Sequence, residues 1–329
     1  MVTARSHSSS RLRTICPGPA ARTLPGPSTL PGPSVLPGPS VLPGPSVLPG
    51  PSVLPGQSVL PGHSALPVQS APPGADVSRR YDRQVTIPGF GVAVQRRLSQ
   101  ATVLVAGVGG VGGAAATYLA AAGVGRLILV HPGDLEEPDL NRQTLMRPER
   151  VGQSRVLCAA DTLRAHHPQV EIVAIDRPLD DPAVPGLIAE ADVVVDARHN
   201  FPERYLINRL CLRNEVPLVV AAMNSTEAYL LVVRPGEPCL RCVFPAGDPS
   251  WEPLGFPVLG SVAGTVGCLA ATEALKVAGG FAEPAVGRLV HIDLWDVDLR
   301  APRTRRDPGC PDCGPGSPDS PEHGPGGSA

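Results

Sequence analysis

The sequence predicts an α/β fold, a doubly wound Rossmann-like parallel sheet, and three observations carry that. Short apolar runs alternate with helix-period segments from about residue 76 onward. The first run, Thr102–Ala106, is apolar throughout, as when helices cover both faces of a parallel sheet. It feeds a glycine-rich turn (Gly107, Gly109, Gly110, Gly112, Gly113) that opens directly into an alanine-rich helix. Glycines there let the backbone approach a ligand closely, and a helix start offers free N–H groups and a positive dipole end to phosphate. A second apolar strand, Arg126–Val130, closes a nucleotide-binding strand–helix–strand unit over 101–130.

Residues 1–75 have no pattern that builds a core. From Leu24 a six-residue unit, LPGPSV, repeats with leucine at 24, 30, 36, 42, 48, 54, 60 and 66. Proline fixes φ and removes donors, and each unit has too little apolar surface to pack. With one glycine in six the segment does not meet the collagen rule, so it reads as a disordered arm, either an inert linker or a polyproline docking segment. The folded domain is expected over 76–314. It begins with Arg80-Tyr81-Asp82-Arg83-Gln84 and a short helix at 92–98 that leads into the first strand.

After Val130 comes a polar loop, HPGDLEEPDLNRQTLM, and a helix over 154–166 with apolar Val156, Leu157, Ala160 and Leu163 at helical spacing. A strand at 170–174, a short helix at 181–190 and a buried strand at 192–196 follow. Next come a helix at 202–213 and a strand at 217–221. Alternation marks strands at 228–234 and 288–294, the latter near the end of the sheet. Between them 260–277 is a long apolar helix, and 315–329, rich in proline, glycine and serine, reads as a disordered tail.

The formal net charge is -2, so the overall balance gives no sign of a nucleic-acid or acidic-membrane partner. No apolar run approaches the ~20 residues of a bilayer span, and the N-terminus lacks the apolar core of a secretory signal. A cytoplasmic location is the expectation. Eight cysteines fall into two groups. Cys16, Cys158, Cys211 and Cys268 are scattered, the last three in apolar helical patterns that suit a buried free thiol. Cys239/Cys242 and Cys310/Cys313 form two C-x-x-C pairs, which in a cytosolic chain favour a metal over disulfides.

Several separated motifs then narrow the reading. They are RYDRQ (80–84), GVGGVGG (107–113), YLAAAGVGRLILV (118–130), LNRQ (140–143), NFPERYLIN (200–208), PCLRC (238–242), ATEALK (271–276) and CPDCG (310–314). In this order, over about 78–314, the sequence resembles the ThiF/MoeB/HesA family, relatives of the ubiquitin-activating enzymes. The resemblance implies an ATP-dependent adenylyltransferase that joins AMP to a carboxylate, usually the C-terminus of a ubiquitin-like carrier protein or a peptide, before sulfur or amine transfer. It further implies a homodimer. Gly107, Gly109, Gly110 and Gly112 would cradle phosphate, and Arg142 would contact it. Asp139 and Gln143 of the same loop are further nucleotide-site candidates. Arg83 matches an arginine that reaches the neighbouring subunit's site. Guanidinium suits both arginines because it is always charged and binds phosphate in a bidentate way. The four paired cysteines resemble a closed structural Zn²⁺ site that clips the C-terminal segment to the body.

Three positions depart from the family pattern. His131 stands where an acid normally holds the ATP ribose, with Asp134 the nearest substitute. Arg155 replaces a lysine, keeping charge and changing geometry. In Asp196-Ala197-Arg198-His199-Asn200, His199 replaces the aspartate that binds Mg²⁺, with Asn200 beside it as a further candidate. Mg²⁺ prefers hard oxygen ligands. So Arg198 and His199 neutralise phosphate directly, or Asp196 or another carboxylate supplies the metal, or turnover is lost. The last case is a pseudoenzyme that binds a partner or nucleotide. A nicotinamide oxidoreductase explains the glycine turn and leaves LNRQ, RYDRQ and the cysteine pairs unexplained. The loop at 245–259 holds no cysteine, so an adenylating protein would stop at the acyl-adenylate. Trp251, Leu254 and Phe256 there are candidate cover for the partner's tail.

Overall fold

The computed structural model describes residues 79–247 and 257–315. The arm expected at 1–75, all but the first residue of the tail, and Trp251, Leu254 and Phe256 lie outside the described residues.

The expected parallel sheet is present, with an antiparallel extension. In chain order the strands are β1 (Thr102–Ala106), β2 (Arg126–Val130), β3 (Glu171–Ile175), β4 (Val193–Asp196), β5 (Leu218–Asn224), β6 (Glu227–Val233), β7 (Leu289–Asp293) and β8 (Asp298–Arg300). They form one eight-stranded sheet in the order β3-β2-β1-β4-β5-β6-β7-β8. β3 to β5 are parallel neighbours across β1, and β5 to β8 pair antiparallel. Strand order reverses between β1 and β4, the place where doubly wound sheets open a crevice beyond their carboxyl ends. β8 had no distinct sequence signal, being three residues long and mostly exposed.

The helices are α1 (Asp82–Val85), α2 (Gly91–Gln100), α3 (Gly110–Ala121), α4 (Arg155–His166), α5 (Val184–Ala189), α6 (Phe201–Arg213), α7 (Leu240–Val243) and α8 (Gly260–Gly279). Successive strand residues point to opposite faces, so the sheet divides two cores. Val103, Val105, Leu127, Leu129 and Val195 face α3, α4 and α8, while Leu104, Ile128, Val130 and Val194 face α5, α6 and the cysteine pairs.

One expectation needs correction. α8 is long and apolar enough, by length and composition, to cross a membrane. Here it is a core helix that packs on α3, on α2 and on β4, β5 and β6. The approach to α3 is close: a Cβ on Gly267 would lie 2.4 Å from the Val111 carbonyl oxygen. Gly280, at φ +60, ends α8 by donating to the Lys276 carbonyl. Cys158 and Cys211 are buried as expected, while Cys268 on α8 is only half-buried.

Candidate functional site

The crevice at the reversal point is a cavity of about 480 Å³, within the range of small-molecule sites. Segments that follow β1, β2 and β4, the far half of β5 and the 136–143 loop line it.

The glycine turn forms its floor. Gly107 leaves β1 at φ +96, and its N–H donates to the Val130 carbonyl at 2.8 Å. A Cβ on Gly112 would lie 1.7 Å from the Gly107 carbonyl oxygen, so that glycine is required for the turn to fold onto α3. Around Gly109 a Cβ would meet nothing nearer than 3.8 Å, at Gln143 Nε2. Gly109 is therefore a cavity residue and not a packing one. It is the N-cap of α3, and no side chain caps that helix start. Its first N–H groups and dipole end are left for a ligand.

A network of basic residues stands over this floor. Asp139, buried in the loop, accepts from Arg142 Nη2 at 3.1 Å, Arg155 Nη2 at 2.7 Å and the Glu136 N–H at 3.1 Å. It places both arginines on the cavity wall. Arg142 also donates to the Pro138 carbonyl and to Asn141 Oδ1, and Arg155 donates to the Asp134 carbonyl. Arg155 Nη1 then meets His131 Nε2 at 2.9 Å, while His131 Nδ1 accepts the Val108 N–H at 2.8 Å. His131 is 8% exposed. Burial first, then the charges of Arg198 and Arg155, holds its imidazole well below the ordinary histidine range. Gln143 is 4% exposed, and its Oε1 has no protein partner, which suits a ligand donor.

The β4 side is cationic and closed. Asp196 is fully buried and accepts from Arg204 Nη1 at 3.1 Å and from the Arg198 N–H at 2.9 Å. Arg198 makes a bidentate pair with Glu203, at 2.8 and 3.0 Å. His199 is exposed on the cavity wall, and partial desolvation followed by the Arg198 charge lowers its imidazole. Asn200 accepts the Glu203 N–H at 2.9 Å as the N-cap of α6 and does not line the cavity. The Asp134 side chain is likewise outside the lining, and only its backbone contributes. Arg83 lies exposed on α1, away from the cavity of its own chain.

Arg204 and Glu203, which hold Asp196 and Arg198, carried no functional reading in the sequence. Their trace was a pair of charges in the first turn of an otherwise buried helix. ATP fits what is present: glycine floor, uncapped helix start, two arginines on one carboxylate and an unpartnered Gln143. Mg²⁺ does not fit. It needs hard oxygen ligands in near-octahedral array. Asp139, Asp196 and Glu203 are all held by arginines, which corrects the expectation that Asp196 could take the metal. The exposed Glu136 leaves a single lining carboxylate outside an arginine pair among the described residues.

On the face of the sheet covered by α6 the four paired cysteines converge, their sulfurs all within 4.8 Å of one another. Cys239 to Cys310, Cys242 to Cys313 and Cys239 to Cys242 are 3.6, 3.4 and 3.9 Å. Tetrahedral Zn–S bonds of about 2.3 Å set sulfurs about 3.8 Å apart, so the donor set and spacing fit that ion. Asn208, fully buried on α6, ties both pairs together. It accepts the Leu240 N–H at 3.1 Å and donates to Asp312 at 2.8 Å. Such a metal would supply structure only, since four thiolates leave no open position.

Comparison with known proteins agrees with this architecture. The ThiF family model matches residues 81–312. The chain is 49% identical over 240 residues to the heterocyst HesA protein of Trichormus variabilis, covering 73% of this chain and 90% of that one. It is 40% identical over 248 residues to adenylyltransferase and sulfurtransferase MOCS3-1 of Zea mays, covering 74% of this chain and 53% of that protein. To the SAMP-activating enzyme E1 of Haloferax volcanii it is 39% identical over 244 residues, covering 73% and 90%. Among solved structures, E. coli MccB with ATP shares the fold, with a TM-score of 0.63 at 23% identity over 73% of this chain and 75% of that one. With the family model spanning the glycine turn, both arginines and all but the last of the four cysteines, the chain belongs to the ThiF family.

Proposed function

We propose that the protein is an ATP-dependent adenylyltransferase that activates a carboxylate, the C-terminus of a ubiquitin-like carrier protein or of a peptide. The carboxylate oxygen attacks the α-phosphorus of ATP, the bond to the bridging oxygen breaks, and pyrophosphate leaves. The product is an acyl-adenylate, passed on to a separate sulfur or amine acceptor. The observation that carries this reading is the pairing of Arg142 with Arg155 on Asp139 above an uncapped helix start. Two anions must meet in such a reaction, and donors fixed in place lower that barrier. Relatives named adenylyltransferase and activating enzyme support it.

In the same reading Gly107, Gly109, Gly110 and Gly112 cradle the phosphates, and Gln143 takes a donor of the nucleotide. His131 stands at the ribose end. Arg83 completes the site of the second subunit of a homodimer. Cys239, Cys242, Cys310 and Cys313 hold a structural Zn²⁺, and four clustered thiols suit a reducing, cytoplasmic compartment.

A second reading, nucleotide or partner binding without turnover, is favoured by His131 and His199 at positions where the family carries acids. ATP–pyrophosphate exchange separates the two. The purified protein is incubated with ATP, labelled pyrophosphate and candidate carrier proteins, with and without Mg²⁺. Label entering ATP supports turnover. Nucleotide binding with no exchange for any carrier leaves the second reading.

A further inference from the structure

The cavity lining carries four arginines and two histidines, Arg142, Arg155, Arg198, Arg204, His131 and His199, and this bears on the form in which its ligand arrives. Val108 N–H can only donate, so His131 Nδ1 must accept and, in the neutral ring, Nε2 carries the hydrogen. That hydrogen faces Arg155 Nη1, itself only a donor, at 2.9 Å. The other tautomer moves the same conflict to Val108. An acceptor oxygen entering the cavity relieves it, since both donors can turn to that oxygen. A metal cation there would add a second positive charge beside Arg155 and relieve nothing.

The carboxylates give the complementary observation. Asp139 is bound by Arg142, Arg155 and the Glu136 N–H. Glu203 and Asp196 are bound by Arg198 and Arg204. Glu136, the other carboxylate of the lining, is exposed and accepts the Asp139 N–H as a helix cap. Arg142 and Arg155 share one carboxylate, so two guanidinium groups stand together beside the glycine floor.

We propose that the cavity takes its nucleotide as a bare polyanion with no divalent cation held by the protein. Arg142 and Arg155 supply the charge a metal would bring, and the facing His131 and Arg155 donors close on one oxygen of the nucleotide. This rests on the reading of the cavity as a nucleotide site.

Calorimetric titration of the full chain with ATP tests it, using ATP freed of metal on a chelating resin. No soluble chelator is added, which leaves any metal on the cysteine cluster in place. The titration is repeated with Mg²⁺ in excess. The Kd is expected to stay the same or to rise by up to roughly tenfold when Mg²⁺ is added. A Kd that falls on adding Mg²⁺, or binding seen only with it, overturns the inference and leaves the nucleotide reading standing. Absence of binding in both titrations, checked by equilibrium dialysis, overturns the nucleotide reading and this inference with it.

Discussion

At the scale of single residues, two glycines one helical turn apart have different tasks. Gly112 touches the Gly107 carbonyl so closely that any Cβ displaces the turn, whereas Gly109 has room for a methyl on the cavity side. Gly112→Ala is therefore expected to destabilise the fold by about 3 kcal/mol. Gly109→Ala should keep the melting temperature and weaken ATP binding; thermal melts and titration of both variants check this, and equal melting losses would refute it. The sequence marks both positions alike, because a motif records that glycine is present and not which atom opposes it. His131 gives the pH dependence. Its imidazole is held well below the ordinary range, so the fold keeps it neutral while the unfolded chain takes a proton near pH ~6.5. Its contribution to stability is full above that pH and declines as pH falls below it. The melting midpoint should drop between about pH 7.5 and about pH 5.5, and drop less in His131→Gln, whose amide oxygen still accepts Val108 N–H. Identical slopes for the two proteins would sink the assignment.

At the scale of elements, α6 is the joint between the two sites. Its first turn holds Asp196 and Arg198 through Arg204 and Glu203, and its middle holds both cysteine pairs through Asn208. Asn208→Leu would leave the Leu240 N–H and the Asp312 carboxylate without that partner in a buried place. It should cost about 3 kcal/mol and lower the zinc content measured by atomic emission, with the scattered cysteines unaffected. Unchanged zinc at a lowered melting point would confine Asn208 to packing. The sequence marked α6 as a helix over 202–213 and assigned its polar residues Glu203, Arg204 and Asn208 no separate role. Only packing against β4 and the cysteine segment turns them inward. The parallel strands β4 and β5 were legible because short runs that are apolar up to a polar last residue have one use in an alternating chain. β6 and β7 were legible from alternation. The three-residue β8 was not legible, since its pairing to β7 comes from register and not composition.

At the scale of the whole molecule, one chain contains the cavity but places Arg83 on its outside. In the homodimer proposed above, Arg83 of each subunit acts on the other's site. Mixing Arg83→Ala with Arg142→Ala protein after subunit exchange should restore about a quarter of wild-type exchange activity, because each mixed dimer keeps one site with both arginines. Each variant alone should be inactive, and a mixture no better than its components would place Arg83 outside the reaction.

The sequence by itself determined the class of fold, the glycine floor, the LNRQ loop and the four metal-suited cysteines. Those features follow from local backbone geometry and from fixed spacing along the chain. Only the tertiary structure decided how charge is shared around the cavity. Asp139 restrains two arginines, Asp196 is closed off by Arg204, and His131 faces a donor with both ring nitrogens. Such pairings join residues up to tens of positions apart, and whether a carboxylate is free for a metal depends on which partner the fold brings to it.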